Sequence, residues 1–374
     1  MTRGTRTAGS SIFSRARFVP GASITPALVA AWRDLVDRAA EPNPVAQPEV
    51  VLPSIAHLAG DSRVGLLVVG TDDRLDALLP VAWPLRIRGV PTPVLQAWVE
   101  PYRVLGTPLL DAEHAVPAMD ALLRPPASLP AAALVLRFFR EAGPVADALD
   151  TVMAERGQSA VRLRTYERAL LLRDAGSPPS RNRRSRYARL RRERETMAEQ
   201  LGEVRVVDRS GEPEAVEEFL RLESAGWKGS AGSALATVPA HDVWFREVCD
   251  GLRAVGRLEV TALQAGSRTA AMWINFESGG GLLHFKSAYD ETLGEHRPGH
   301  QLLLHAIESM EDGRYAWRDS ATVPENALFN QLWPGRLPMS TVVVPLHGRV
   351  GGAALPVARA LARQRDRWRA KLGS

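Results

Sequence analysis

The second half of the chain contains three strand-like runs, RLEVTAL, RTAAMWINF and LLHFKSA, separated by the short connectors QAGS and ESGGG. Runs this rich in branched and aromatic side chains, joined by glycine-bearing links this short, predict a hairpin-connected antiparallel meander. The meander leads into YDETLGEHRPGHQLLLHAI, a polar loop followed by an amphipathic helix from about Gln301 to Asp312, with Leu303, Ile307 and Met310 on one face. A strand YAWRDSA, a short helix around Ala327 to Leu332 and a last strand MSTVVVPL follow. Strand, helix, strand in that order implies a right-handed crossover, so the strands ending near Ser287 and Ser320 are expected to be parallel neighbours or near neighbours.

The first half repeats this order of elements without any residue-level repeat. VGLLVVG, LDALLPVAWPL and VLQAWV read as strands around the turns TDDR and RGVPTP. A helix around Ala115 to Leu123, a strand AAALVLRFF, a helix from Val145 to Glu155 and a strand AVRLRTYERALLLR come next. The glycine, prolines and serines of DAGSPPSRNRR mark a linker near Asp174 to Ser180. The expectation is an α/β chain of the α+β kind, with one unit over residues 1–174, a second over 181–348 and a basic amphipathic helix within 349–374. Beyond the linker, Tyr187, Leu190, Met197 and Leu201 recur at heptad-like spacing, so one helix face can pack while arginines fan outward. Those arginines read either as a solvated face or as a grip on phosphate, which arginine binds through a planar fork of donors.

A chain of 374 residues with 45% hydrophobic content can build more than one ordinary core. Its net charge of +5 favours acidic partners such as phosphorylated cofactors, nucleic acid or anionic membrane. The single cysteine excludes an internal disulfide framework and a cysteine-based zinc site. Cys249 shares a helical pattern with Phe245, Val248 and Leu252 and reads as a buried apolar residue rather than a nucleophile. The N-terminus is basic but lacks an apolar run of secretory length, and no later stretch is long enough to span a bilayer. A cytoplasmic protein is expected, with at most weak peripheral membrane contact through its C-terminal helix.

HRPGHQ, where the polar loop meets the crossover helix, allows two readings. Pro298 suits the first position of any helix, so the junction can be a plain cap. A helix start also carries unpaired N–H groups and partial positive charge, which makes it a ready site for an anion such as a pyrophosphate.

Taken together, FLRLESAGWKGSAGSAL, FKSAYDETLGEHRPGHQLL and YAWRDSATVPENALFNQLWPG resemble the acetyltransferase domain of the CelD and BioF2-like type. That family lies within the Gcn5-related N-acyltransferase (GNAT) fold and is akin to the Fem aminoacyl transferases of peptidoglycan synthesis. The resemblance covers about Arg181 to Leu346, and EPNPVAQPEVV and EPYRVLGTPLLD are similar to the N-terminal part of such chains. It implies tandem GNAT-like domains, each a mixed, mostly antiparallel sheet flanked by helices, with the acyl donor in the second. The pantetheine arm would lie in the splay between two parallel strands and the pyrophosphate on HRPGHQ. Acyl-coenzyme A, in the first instance acetyl-coenzyme A, would then meet Arg297, Pro298, Gly299, His300 and Gln301, with Asn330 near its thiol end. HRPGHQ has fewer small residues than the full GNAT loop, and Fem-type relatives with similarly reduced loops take aminoacyl-tRNA, so tRNA is the alternative partner. The first copy's equivalent loop, YRVLGTPLLDAEHAVP, offers Gly106 and Thr107 but no basic residue at the start of its helix. That implies a unit on the acceptor side without a donor, its lining drawn from Glu41 to Pro44 and Tyr102.

Acyl transfer from a thioester needs a neutral nucleophile, a base, donors for the developing oxyanion, and substrates held in line. The chain has no serine-elbow motif, His300 and His305 are not spaced for a same-face pair, and the Pro-Gly break between His296 and His300 argues against a helical ligand pair despite their i, i+4 spacing, so no metal is expected. His284 is the candidate base, because imidazole titrates near neutral pH; a satisfied structural histidine is the other reading. Strand alternation would put His284 and Lys286 on one face and Phe285 on the other. Asp319, ending the next strand, and Asp290, just past the meander, are further catalytic candidates; pairing of Asp319 with Arg318 or Arg297 is the structural reading. Trp227, Lys228, Lys286, Glu291 and Tyr102 are candidates for holding the acceptor. The expected activity is direct transfer to an amine of a sugar, lipid precursor or metabolite. A Fem-like aminoacyl-tRNA-dependent transferase and a non-catalytic GNAT-like protein of a polysaccharide-biosynthesis assembly are the alternatives.

Overall fold

The computed structural model describes residues 15–60, 62–87, 90–174 and 180–346, so the basic helix expected within 349–374 lies outside the described residues. In the first half the strands are β1 (Arg17–Pro20), β2 (Val64–Gly70), β3 (Leu75–Ala82), the small ribbon β4 (Leu85–Ile87) and β5 (Val90–Thr92), β6 (Val94–Ala97), β7 (Leu109–Leu110), β8 (Ala133–Arg140) and β9 (Val161–Leu172). Its helices are α1 (Pro26–Asp37), α2 (Pro48–Leu58), α3 (Ala115–Leu122) and α4 (Pro144–Glu155). The second half contributes α5 (Arg181–Leu201), β10 (Val204–Asp208), α6 (Pro213–Ala225), α7 (Trp227–Ser230), α8 (Pro239–Ala254), β11 (Leu258–Ala265), β12 (Arg268–Ser278) and β13 (Gly281–Tyr289). It closes with α9 (Pro298–Glu308), β14 (Trp317–Asp319), α10 (Ala327–Leu332) and β15 (Gly335–Pro345). Six helices, α1, α2, α4, α6, α8 and α9, open on a proline, where the fixed φ suits the first turn and the missing N–H costs no hydrogen bond.

The strands form one long sheet in the order β1-β2-β3-β6-β8-β15-β9-β14-β13-β12-β11-β10, with β7 beside β3. Its centre is not what the chain order suggests. β9 ends the first half yet pairs antiparallel with β14, Leu170 opposite Asp319, while β15 ends the second half and pairs with β8, Val343 opposite Val135. The two closing strands also pair with each other from Gly335↔Leu170 to Val343↔Val161, so the sheet runs unbroken across the linker. Each half therefore covers the edge the other would leave open.

Helices cover both faces. In the second half α6 and α8 pack on one face, where Phe219, Trp244, Phe245, Ile274 and Phe276 share a core with Leu105 of the first half. On the other face α5, α9 and α10 enclose Tyr187, Leu190, Met197, Trp273, Leu303 and Phe329. The apolar stripe of α5 thus packs as its spacing predicts. Cys249 is fully buried on α8, and burial pushes its thiol pKa up, so the thiol stays protonated and inert. No helix of the described residues is long and apolar enough to cross a membrane.

The meander appears as β11, β12 and β13, and β13 and β14 are parallel neighbours as the crossover requires. Two boundaries differ from expectation. α9 begins at Pro298 rather than near Gln301, because Arg297 adopts a left-handed conformation (φ 52°, ψ 53°) that ends the preceding turn. β14 covers only Trp317–Asp319 of YAWRDSA, because the chain leaves β13 at that point and turns toward β9.

Candidate active site

Only three residue pairs join β13 to β14: Gly281↔Trp317, Leu282↔Arg318 and Leu283↔Asp319. Gly281 is required at the join, since a Cβ there would lie 2.0 Å from the Trp317 ring. Beyond Leu283, β13 continues to Tyr289, whereas Ser320 donates its amide to the carbonyl of Ala169 on β9 at 3.1 Å. The two parallel strands therefore part into a V.

The crossover starts at the open end of this V. A 3-10 turn over Glu291–His296 delivers the chain to Arg297, the N-cap of α9. The amides of His300 and Gln301 donate to the Arg297 carbonyl at 2.9 and 3.3 Å, so they are not the free donors the sequence suggested. Gly299 retains an amide with no backbone acceptor among the described residues, and a Cβ on it would meet nothing within 4 Å. Gln301 has another role altogether: its buried amide donates to the Leu190 carbonyl at 3.0 Å and accepts from Arg194 at 3.1 Å, fastening α5 to α9. His300 is partly buried, and burial, then the Arg297 charge, lowers its pKa, so the ring is neutral at physiological pH. Arg297 pairs with Glu193 at 3.3 Å, beside a cavity of about 200 Å³ lined by Arg189, Arg192, Thr196, Glu295 and His296. Because a left-handed non-glycine residue costs about 1–2 kcal/mol, Arg297→Gly should leave the fold intact and raise unfolding stability by up to about 1 kcal/mol, read by denaturant titration. A clear loss of stability would mean that the Glu193 contact outweighs the strain.

His284 follows the last paired residue and stands at the vertex of the V. Its environment overturns the expected face pattern. Between Ile274 and Asn275 the register shifts, with Ile274 opposite Lys286 and Asn275 opposite His284, so Phe285 is an extra residue in β13. A bulge of this kind breaks alternation. Phe285 packs with Phe276 and Tyr102, and Lys286 lies over the Tyr102 ring at 5.4 Å, both on the α6 and α8 side. His284 takes the opposite side, 4.4 Å from the Trp273 ring and 5.3 Å from that of Phe329. Its Nδ1 lies 3.0 Å from Asn275 Oδ1. Burial first, then the charges of Lys228 and Arg318, push its pKa down to about 3.

On the α6 and α8 side the structure gathers Tyr102, Lys228 and Lys286 around Glu223, a residue sequence reasoning missed. Glu223 is buried; it accepts from Lys228 at 3.0 Å and from the Leu235 amide at 2.9 Å, with the Lys286 ammonium 3.5 Å away. Lys228 also donates to the Ser287 carbonyl of β13 at 2.7 Å. Tyr102 arrives from the first half, stacks on Trp244 at 4.3 Å and shares a hydrogen bond with His241 Nδ1 at 2.9 Å. Burial pushes the Tyr102 hydroxyl up to about 12 and lowers the Lys286 pKa. The one available signal for Glu223 was its place in FLRLESAGW, an acidic residue on the packed stripe of α6.

Other candidates serve the framework. Asp319 is fully buried and pairs with Arg168 of β9, not with Arg318 or Arg297, while its other oxygen accepts from the Ala321 amide at 2.9 Å. Asp290 caps the 3-10 turn through Thr292 and pairs with Arg268, and these contacts hold its pKa below the usual carboxylate range despite partial burial, which makes it a poor base. Glu291 accepts the Trp227 amide at 2.5 Å, so it fixes α7 against the loop, and Trp227 is 56% exposed there. Asn330 donates to the Pro324 carbonyl at 2.7 Å. In the first half Glu41 accepts the Val145 amide at the start of α4, and Asn43 donates to the Thr107 carbonyl, so EPNP anchors local chain. There β6 and β8 also part after three pairs, but the loop that follows fills the gap: Gly106 donates to the Phe138 carbonyl at 3.0 Å. A Cβ on Gly106 would lie 2.1 Å from the Arg137 carbonyl. Asp76, Asp111 and His114 come close enough to suggest a metal site, but Arg38 and Arg74 already pair with Asp111.

Residues 182–322 match the family model described as an acetyltransferase (GNAT) domain. A search of curated proteins gives no match. Among solved structures, the C-terminal domain of a putative lysylphosphatidylglycerol synthetase from Agrobacterium fabrum superposes with a TM-score of 0.55 at 15% identity, covering 88% of this chain and 94% of that one. FemX superposes with a TM-score of 0.55 at 10% identity over 86% of this chain and 96% of its own. A conserved protein of unknown function from Bacteroides thetaiotaomicron gives 0.51 at 11% identity, covering 87% and 99%. At such identities the likeness speaks for the fold alone. The parted parallel strands, the crossover helix at their mouth and the family match together identify residues 182–322 as an acetyltransferase (GNAT) domain.

Proposed function

We propose that the chain is an N-acyltransferase that takes an acyl group, in the first instance acetyl, from acyl-coenzyme A and transfers it by direct attack to an amine of a sugar, lipid precursor or metabolite. The observation that carries this reading is the junction of the V with α9: the strands part after Leu283 and Asp319, and a helix starts at Pro298 with open space over Gly299. A diphosphate at that helix start is favoured by the Gly299 amide and the helix dipole, with Arg297 adding charge. The pantetheine arm then runs into the V toward His284. Beyond His284 the edge of β13 that β14 no longer covers offers backbone N–H groups to the carbonyl oxygen as it becomes an oxyanion. The acceptor comes from the side of α6 and α8, past Trp227, toward Tyr102, Lys228 and Lys286. Two ammonium groups share the single carboxylate of Glu223, so one positive charge is left over, which suits an acceptor that carries an anionic group. The filled gap in the first half supports a role without a donor for that unit. A cytoplasmic location would supply the donor.

A second reading, an aminoacyl-tRNA donor, has one observation in its favour. Arg181, Arg186 and Arg192 lie exposed on α5, and the cavity lined by Arg189 and Arg192 adjoins the start of α9. Phosphate contacts of this kind weaken steeply with salt. The two readings separate by thermal stability. Acetyl-coenzyme A at ~100 times its dissociation constant should add about 2.7 kcal/mol to the unfolding free energy. No shift with any acyl-coenzyme A, together with salt-sensitive binding of charged tRNA, would replace the first reading by the second.

A further inference from the structure

Three polar residues lie side by side across the meander, beneath α9. Glu259 on β11 is the register partner of Asn275 on β12, which is the register partner of His284 on β13. All three are buried, at 6%, 2% and 7% exposure, in the layer that holds Trp273 and Phe329, and the Glu259 end borders a cavity lined also by Thr261, His305, Ser309 and Arg318. A buried polar row in such a layer is costly unless every group is satisfied. The hydrogen bonds run along it: Asn275 Nδ2 donates to Glu259 Oε2, and Asn275 Oδ1 faces His284 Nδ1 at 3.0 Å. Arg318 lies 3.6 Å from the other oxygen of Glu259.

The donor and acceptor inventory then fixes the proton. An ionised carboxylate accepts only, so the amide must turn its NH₂ to Glu259 and its carbonyl to His284. The carbonyl also accepts only, so Nδ1 must carry the hydrogen. β12 lies on one side of β13 and the gap of the V on the other, so the ring nitrogen opposite Nδ1 faces the gap.

We infer that Asn275 and Glu259 are positioning residues that hold His284 as the tautomer protonated on Nδ1, leaving Nε2 bare toward the opening between β13 and β14. The catalytic meaning of this rests on the acyl-transfer reading; the tautomer itself does not. In the transfer step the amine nitrogen forms a bond to the thioester carbon, the C–S bond breaks, and its electron pair leaves with sulfur as thiolate. The proton lost from nitrogen passes to Nε2 directly or through one water, and from there to the thiolate, giving thiol and amide with His284 restored. The groups that set the charge of His284 are Lys228 and Arg318, while Trp273 and Phe329 contribute apolar contact. Burial and the two nearby cations keep the ring neutral, so Nε2 is open as an acceptor.

The test is long-range ¹H–¹⁵N correlation on protein labelled in histidine, with the His284 signals assigned by their loss in His284→Phe. The wild type should show His284 as a neutral Nδ1–H ring that does not titrate between about pH 5 and about pH 8. In Glu259→Gln the new amide can donate as well as accept, which frees Asn275 to turn over, so both tautomers should appear. Turnover of acetyl-coenzyme A in that variant should fall by at least about tenfold while KM for the donor stays within about twofold. A wild-type ring protonated on Nε2 overturns the inference without recourse to any variant. An unchanged tautomer in Glu259→Gln, or a changed one with unchanged kcat, overturns the positioning role. Absence of transfer from every acyl-coenzyme A would instead defeat the function proposed above, leaving the tautomer result standing.

Discussion

Arg168→Met should lower the unfolding free energy by about 3–5 kcal/mol, the cost of leaving one member of a buried ion pair without its partner. Arg168 is 1% exposed and Asp319 fully buried. The guanidinium bonds Asp319 Oδ2 and also donates to the Val104 carbonyl at 2.7 Å, so a single side chain joins β9, β14 and the loop that fills the first half's gap. Removing it strands the Asp319 carboxylate away from water. The double variant Arg168→Met, Asp319→Leu removes both charges and should regain at least about half of the loss, because apolar replacement of a whole buried pair is often neutral. Guanidinium titration of both variants decides the matter, and a loss below about 1 kcal/mol in the single variant would mean that water reaches the pair. The effect should extend to the donor. Asp319 Oδ1 holds the Ala321 amide, and Ala321 sits in a left-handed conformation (φ 49°), so the backbone wall of the V depends on that carboxylate staying in place.

Gly299→Glu is expected to separate binding from stability. Space over Gly299 is open, so the new side chain fits without moving its neighbours. A carboxylate in the first turn of α9 complements the helix dipole, and stability should hold or rise by about 0.3–1 kcal/mol. The same charge would face the donor's diphosphate: at ~4 Å and an effective dielectric of ~20 the repulsion is about 4 kcal/mol, roughly a thousandfold in affinity before screening. Calorimetric titration with acetyl-coenzyme A should therefore show a loss of at least about a hundredfold, with Gly299→Ala close to wild type. Equal affinity in the Glu variant and the wild type would move the diphosphate away from this helix start.

Much of the second half is legible in its sequence. The meander, the parallel neighbours and α10 at Ala327–Leu332 follow from short-range signals: apolar runs, glycine-bearing connectors, and the handedness of a crossover. The apolar stripe of α5 and the buried Cys249 are periodicity arguments that survive because helix geometry is local. Of the candidate residues, Tyr102, Lys228 and Lys286 do meet, although nothing in their spacing linked a tyrosine of the first half to two lysines of the second.

What sequence alone determined, then, is everything that nearest neighbours along the chain can enforce: which segments are strands, where prolines open helices, and that α9 starts beside a polar turn. Tertiary structure decided the rest. The extra residue at Phe285 swaps the face of Lys286, and a bulge exists only relative to the strand opposite it. Asp319 finds Arg168 across 151 positions instead of the arginine beside it, because β9 and β15 changed places in the sheet. Backbone edges accept any strand of suitable polarity, so the choice between partners is made by packing on both faces at once, and no local pattern encodes that choice.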